Sequence, residues 1–245
     1  MGTTHNKAII YDDTCPMCNI YTKAFVQYGF LKSENRLSFT KIDENIASKL
    51  DLHRSKHEIP LIDQDTGEVL YGVDSLVFLL SQKMPWIGKV MKWQFLYFLV
   101  KQFYALVSYN RRTIALSAPK AIAKPTTFDC TPDVNIPYRT AFLVISWLFS
   151  FLILYKINAP TNFNIPMIAL GLFGGHFLVI VFLKRRFEYW GQIATLMFIF
   201  SLLMLPSLFS DNFIFQISNF GIAFLVTFWQ YWRRMALLNK YFFIG

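Results

Sequence analysis

The sequence predicts an α/β domain followed by a bundle of four membrane-crossing helices, two halves that fold in different solvents. Three observations carry this. Short β-prone runs alternate with helical patterns over residues 1–85. After residue 137, four apolar stretches are each about long enough to cross the roughly 30 Å hydrocarbon core of a bilayer. The 245-residue chain as a whole is 54% hydrophobic, 18% aromatic and only 16% charged, with a mean hydropathy of +0.36, too apolar for one ordinary soluble domain.

The first half reads element by element. "KAIIYD", Lys7 to Asp12, is a short strand to be buried in a sheet, and "DTCPMCNIYTKAFVQYGF" continues into a helix with Tyr21, Ala24, Phe25 and Tyr28 on one face and Gly29 as its stop. "RLSFTKID", Arg36 to Asp43, is a second strand, followed by a helical stretch from Glu44 to Leu52. "IPLIDQDTGEVLYG" is a hairpin turning at "DTG", after which Asp74 can cap a helix over "SLVFLLSQ". The order β-α-β-α-β-β-α is that of a thioredoxin-like domain. Ile59-Pro60 then stands where that fold places a cis-proline beside its active site.

Residues 86–137 join the halves. Trp86 to Arg112 is aromatic but interrupted by Lys89, Lys92 and Lys101, which predicts a helix covering the soluble domain or lying in the membrane interface. The run to Pro137, containing Cys130, reads as an irregular linker. Residues 138–245 carry the four predicted spans, at 138–157, 165–183, 189–209 and 213–232, with Tyr and Trp at several ends. Lys184 to Arg186 lie between the second and third spans, and Arg233, Arg234 and Lys240 follow the fourth. The other two loops offer only Lys156 and an acidic "SDN". Basic residues mark the cytoplasmic side, so the N-terminal domain and the C-terminus are both expected there. No basic start followed by an apolar run marks a secretory leader. The excess of 24 basic over 15 acidic residues sits beside apolar segments, which argues against nucleic acid and for a lipid membrane as its partner.

Two of the three cysteines, Cys15 and Cys18, are spaced C-x-x-C at the predicted start of the first helix. Disulfide exchange needs an attacking thiolate and a second thiol to resolve the mixed disulfide. A helix N-terminus favours the thiolate of the first cysteine, so Cys15 is the expected nucleophile and Cys18 the resolving thiol. Pro16 suits the first helical position, having no N–H to leave unpaired. Asp12 and Asp13 oppose the thiolate by charge, and Asp12 is alternatively a proton relay for Cys18. A metal alternative uses the same thiols: Cys15, Cys18, His53 and His57 make a complete zinc set on paper. Cys130 is either a spare thiol or a third redox cysteine. His176, within the second span, is an intramembrane ionisable group and a functional candidate on that ground.

Tyr11, Asp12, Cys15 and Cys18, with Asp13 where glycine is usual, resemble the opening motif of the DCC family of thiol-disulfide oxidoreductases. "YNRR", Tyr109 to Arg112, and "FDCTPDVNIPYR", Phe128 to Arg139, are similar to its later segments. The resemblance implies a thioredoxin-like fold and an oxidoreductase working through Cys15 and Cys18, with Asp12 and Pro60 beside them. No cofactor beyond the cysteine pair and no resident metal are expected. Protein or small-molecule thiols and disulfides are the expected substrates. A reduced cytosol favours the reductase direction. The competing expectation is a transport or assembly subunit whose thioredoxin-like domain docks a membrane-protein partner.

Overall fold

The computed structural model describes residues 6–116, 130, 132–157, 171, 186–210 and 212–242. The chain divides into two compact units, Met1–Asp133 and Val134–Gly245.

The first unit is built on a four-stranded sheet. Strand β1 (Lys7–Tyr11) is followed by α1 (Pro16–Gln27), β2 (Arg36–Ser38), α2 (Glu44–Lys49), α3 (Leu52–Ser55), β3 (Pro60–Asp63), β4 (Val69–Tyr71), α4 (Val73–Ser81), α5 (Pro85–Val90) and α6 (Gln94–Ile114). The sheet order is β2-β1-β3-β4, with β1 parallel to β2 and antiparallel to β3, and β3 antiparallel to β4. A parallel pair needs a crossover, which α1 supplies, whereas the antiparallel β3-β4 pair closes through a short turn. This mixed sheet with its helices is consistent with the thioredoxin-like expectation.

Both faces of β1 are covered, so its sequence reads as an unbroken apolar run rather than an alternation. Ala8 and Ile10 pack with Phe39, Leu50 and Ile62 on one face, while Ile9 and Tyr11 pack with Leu31, Ile59, Leu61 and Leu79 on the other. The β3-β4 turn is organised by Asp63, whose Oδ1 accepts from the Asp65 and Thr66 amides, with Gly67 at φ +77°.

Several expectations need correction. The second strand ends at Ser38 rather than Asp43, because Phe39–Lys41 turn into a 3-10 helix that buries Phe39 and sends the Thr40 hydroxyl to Asp13. The stretch from Glu44 to Leu52 is two short helices, capped by the Asp43 and Asp51 carboxylates. Gly72, not Asp74, precedes α4: its φ of +59° starts the helix, while Asp74 accepts a hydrogen bond from the Tyr97 hydroxyl at 2.9 Å. Ile59-Pro60 is trans, no cis peptide occurring among the described residues. Trans is the intrinsically favoured isomer, and here Ile59 is held by the Gly72 amide and the Ser75 hydroxyl on its carbonyl and by the Tyr104 hydroxyl on its N–H.

The aromatic connector forms α5 and α6. The C-terminal part of α6 covers the sheet domain: Ser108, Asn110, Arg111 and Thr113 are buried. Its earlier part exposes Phe95, Phe98 and Phe103.

The second unit contains α7 (Ile136–Lys156), α8 (Arg186–Met204), a 3-10 turn (Leu205–Phe209) and α9 (Phe213–Phe242). Three segments here, Ile136–Lys156, Phe187–Phe209 and Phe213–Leu237, are long and apolar enough to cross a membrane. They match the first, third and fourth predicted spans. The second, 165–183 with His176, lies outside the described residues, as do Lys184 and Arg185. Helices α7 and α8 meet through hydroxyls as well as apolar contacts: Ser201 donates to Ser150 Oγ at 2.6 Å, and Ser150 to the Met197 carbonyl at 3.2 Å. Small hydroxyl residues allow close approach of helices where water is absent. Arg234, expected among loop basics, is instead buried at 2% exposure, donating to Gln192 Oε1 at 2.5 Å.

Candidate functional site

The corner between β1 and α1 places the predicted residues. The Cys15 amide donates to the Asp12 carbonyl at 3.2 Å, closing a tight turn, and Cys15 is the N-cap of α1 with extended backbone, φ −90° and ψ 115°. Pro16 takes the first helical position, and no side chain caps the helix. The Cys15 sulfur therefore lies at the positive end of a 12-residue helix. Asp13, where the resembling family has glycine, keeps φ below zero, since among the described residues only Leu116 has a positive φ without being glycine. Its Oδ2 accepts from the Thr40 hydroxyl at 2.9 Å, so the carboxylate fastens the corner to the chain after β2.

Cys15 and Cys18 are buried, at 0% and 6% exposure, and their environments drive them apart. The Cys15 sulfur receives hydrogen bonds from the Cys18 thiol, the largest influence, and from the Cys18 amide; with the nearby Arg111 charge these outweigh burial and lower Cys15 to about 6. The same thiol-thiol hydrogen bond, together with burial, pushes Cys18 far up. The pair thus favours the thiolate on Cys15 and the proton on Cys18. Asp12 opposes the Cys15 thiolate by its charge, but more weakly than these groups favour it.

Asp12 is itself paired. It is 3% exposed, and its Oδ1 accepts from the Thr14 amide at 3.0 Å and the Thr14 hydroxyl. Its Oδ2 meets Arg111 Nη2 and Arg112 Nη2, both at 3.3 Å. Burial alone would raise the Asp12 carboxyl, but Thr14, Arg112 and Arg111 together hold it below the usual carboxylate range.

Arg111, from α6, is the hub. At 6% exposure it donates through Nη1 to the Lys56 carbonyl at 2.7 Å and through Nη2 to the Cys130 carbonyl at 2.7 Å. Cys130 Sγ lies 3.6 Å from the same nitrogen and donates to the Ser55 carbonyl at 3.6 Å. A cavity of about 250 Å³ adjoins this cluster, with Asp12, Cys18, Tyr21, Tyr104, Arg111 and Cys130 in its wall. Cys130, read in the sequence as a linker residue, is therefore a wall of the candidate site.

Pro60 is buried in β3, while its neighbour Ile59 lines the cavity. His53 and His57 do not join the cysteines: among the described residues they cluster with Asp133. The sequence reading missed Arg111 as a site residue. "YNRR" marked the segment, but no local signal showed that a helix about a hundred positions downstream would return to Asp12.

Because the Cys15 thiolate is stabilised, its titration falls low. We expect thiolate ultraviolet absorbance, taken as wild type minus Cys15→Ser, to rise with a midpoint near pH 6. An ordinary cysteine would give about 8.5. The sign follows from the acid form being neutral: stabilising the anion moves deprotonation to lower pH. A midpoint above 8 contradicts the hydrogen-bond assignment.

Residues 9–116 match the model of a family described as DCC1-like thiol-disulfide oxidoreductase. The matched region includes Asp12, Cys15, Cys18, Arg111 and Arg112, while Cys130 and Asp133 fall beyond it. Neither a curated protein nor a solved structure matches the chain significantly.

Proposed function

We propose, from the match of residues 9–116 to the model of the DCC1-like thiol-disulfide oxidoreductase family, that this chain is a membrane-anchored reductase exchanging disulfides through Cys15 and Cys18. The observation that carries the reading is the opposed behaviour of the two thiols at the head of α1, one held as thiolate and one as thiol.

The chemistry balances within the pair. Cys15 thiolate attacks one sulfur of a substrate disulfide, forming a mixed disulfide and expelling the other sulfur as a thiolate. Bonding at Cys15 removes its negative charge, so the Cys18 thiol no longer shares its proton with an anion and its pKa falls. Cys18 then loses that proton to water or the departing thiolate and attacks Cys15 Sγ, releasing the second substrate thiol. Two electrons pass to the substrate, the Cys15–Cys18 disulfide forms, and an external dithiol returns it to the reduced state. Asp12 serves as an electrostatic anchor here rather than a proton relay: all four of its acceptor positions are engaged, and a carboxylate held low is a weak base. With Cys15 fully buried, attack requires opening of the Asp12–Cys15 turn or of the side chains over it.

Three membrane-length apolar segments support anchoring. Basic residues near span ends support a cytoplasmic N-terminal domain and C-terminus, where the reducing poise favours electron flow from the protein to its substrate. The test is turnover: the detergent-purified chain with a dithiol donor should reduce a model protein disulfide. Absence of turnover while both thiols remain reduced and titratable favours instead a docking domain on a transport or assembly subunit.

A further inference from the structure

We propose that His53, His57 and Asp133 form a binding site for a divalent transition-metal ion of the zinc type, separate from the redox thiols. His53 lies in α3 and His57 one turn further on, and an i, i+4 spacing brings both imidazoles to one side of that turn. Asp133 arrives from the segment that precedes α7, far away in sequence. Its Oδ2 is 3.3 Å from His57 Nε2 and 3.7 Å from His53 Nε2, and the three donor atoms lie within 4.8 Å of one another.

Those separations are what metal ligation needs. With metal–nitrogen and metal–oxygen bonds of about 2.0–2.2 Å, neighbouring donors in a tetrahedron stand roughly 3.3–3.5 Å apart. One edge of the triangle already has that length and a second exceeds it by a few tenths of an ångström. A hydrogen bond to a carboxylate oxygen needs one imidazole; two imidazoles converging on a single oxygen, with their rings 5.6 Å apart, suit a shared cation better. The donors are two imidazoles and a carboxylate, a set that suits zinc and its divalent neighbours.

The ring of His57 is held in place. It lies against Tyr109 at 4.4 Å between centroids, tilted by 30°, and its carbonyl accepts from the Ser108 hydroxyl. His53 and Asp133 are exposed, at 81% and 61% for their side chains, so an ion can enter from solvent and keep water in a fourth position. The site also has a mechanical consequence. Cys130, three residues before Asp133, touches Ser55 and Arg111 at the edge of the cavity. An ion tying Asp133 to His53 and His57 therefore clamps the Cys130 segment onto the 53–57 turn.

The experiment is equilibrium dialysis of the full chain in detergent against buffered Zn²⁺, with elemental analysis. It is run on wild type, His53→Ala, Asp133→Asn and a Cys15→Ser/Cys18→Ser double variant, and repeated with Co²⁺ for its electronic spectrum. We expect one ion per chain in the wild type and the double variant. In His53→Ala and in Asp133→Asn, affinity should fall at least about tenfold. The Co²⁺ spectrum should lack thiolate charge-transfer bands, and Zn²⁺ should slow alkylation of Cys130. His53 and Asp133 are surface residues, so both variants are expected to fold. No binding by the wild type, binding unchanged in His53→Ala, or binding lost in the cysteine variant overturns the proposal; the last result assigns the ion to the thiols.

Discussion

Replacing Cys15 with serine is expected to abolish disulfide exchange, lowering turnover at least about a thousandfold, because a serine hydroxyl cannot supply the anion that a thiol of pKa about 6 supplies at neutral pH. Cys18→Ser should behave differently. It removes the resolving thiol, so the first attack still occurs and the substrate stays bound to Cys15 as a mixed disulfide visible by non-reducing electrophoresis and intact mass. It also removes the thiol hydrogen bond that is the largest influence lowering Cys15, so the remaining thiolate should titrate at higher pH than in the wild type. A serine hydroxyl at position 18 restores part of that bond, whereas Cys18→Ala restores none; the titration midpoints should therefore rank wild type below Cys18→Ser below Cys18→Ala. A Cys15→Ser variant that retains wild-type turnover contradicts the assignment, as does a mixed disulfide that forms on Cys18.

The second large effect is expected from Arg111→Met. The methionine fills comparable space but leaves Asp12, at 3% exposure, with Arg112 as its remaining guanidinium, and leaves the Lys56 and Cys130 carbonyls without the donor they share. Breaking one side of a buried ion pair costs several kcal/mol, about 3 here because Arg112 stays in place. That corresponds to a melting temperature lower by on the order of 10 °C. Loss of the positive charge should also raise the Cys15 pKa, since Arg111 favours its thiolate. Adding Asp12→Asn to Arg111→Met removes the stranded charge and should recover part of the lost stability, which marks the pair as coupled. Arg111→Met melting within a degree or two of wild type would show that the hub contributes little.

Much of the fold was legible because its signals are local. The apolar run of β1, the proline and cysteines that open α1, the "DTG" turn and the apolar stretches over α7, α8 and α9 each follow from residues adjacent in sequence. Failures came where a distant partner decides the outcome. Arg36 to Asp43 has the composition of a strand, yet Thr40 is drawn to Asp13 and Phe39 to the core, and the strand stops at Ser38. Glu44 to Leu52 reads as one helix by periodicity, but Leu50 is extended and the distant Tyr71 hydroxyl accepts from the Asp51 amide at 2.9 Å, so the stretch breaks into two short helices.

The candidate site divides in the same way. Cys15, Cys18 and Asp12 share one corner, and the motif announces them together. Arg111 and Cys130 come to them through tertiary packing, as does the meeting of His53 and His57 with Asp133, and no spacing rule reaches across such distances. Asp13 is instructive in the opposite sense: glycine is usual there, yet the backbone is ordinary and the carboxylate finds a donor in Thr40.

The most direct measurement of the central claim is a redox titration of the Cys15 and Cys18 pair. The purified full chain is equilibrated across a series of dithiol/disulfide potentials, quenched in acid, alkylated, and its modified cysteines assigned by mass spectrometry. A single two-electron transition is expected, in which Cys15 and Cys18 change together and form a disulfide with each other. Two cysteines that remain reduced throughout, or that oxidise independently of one another, would contradict it.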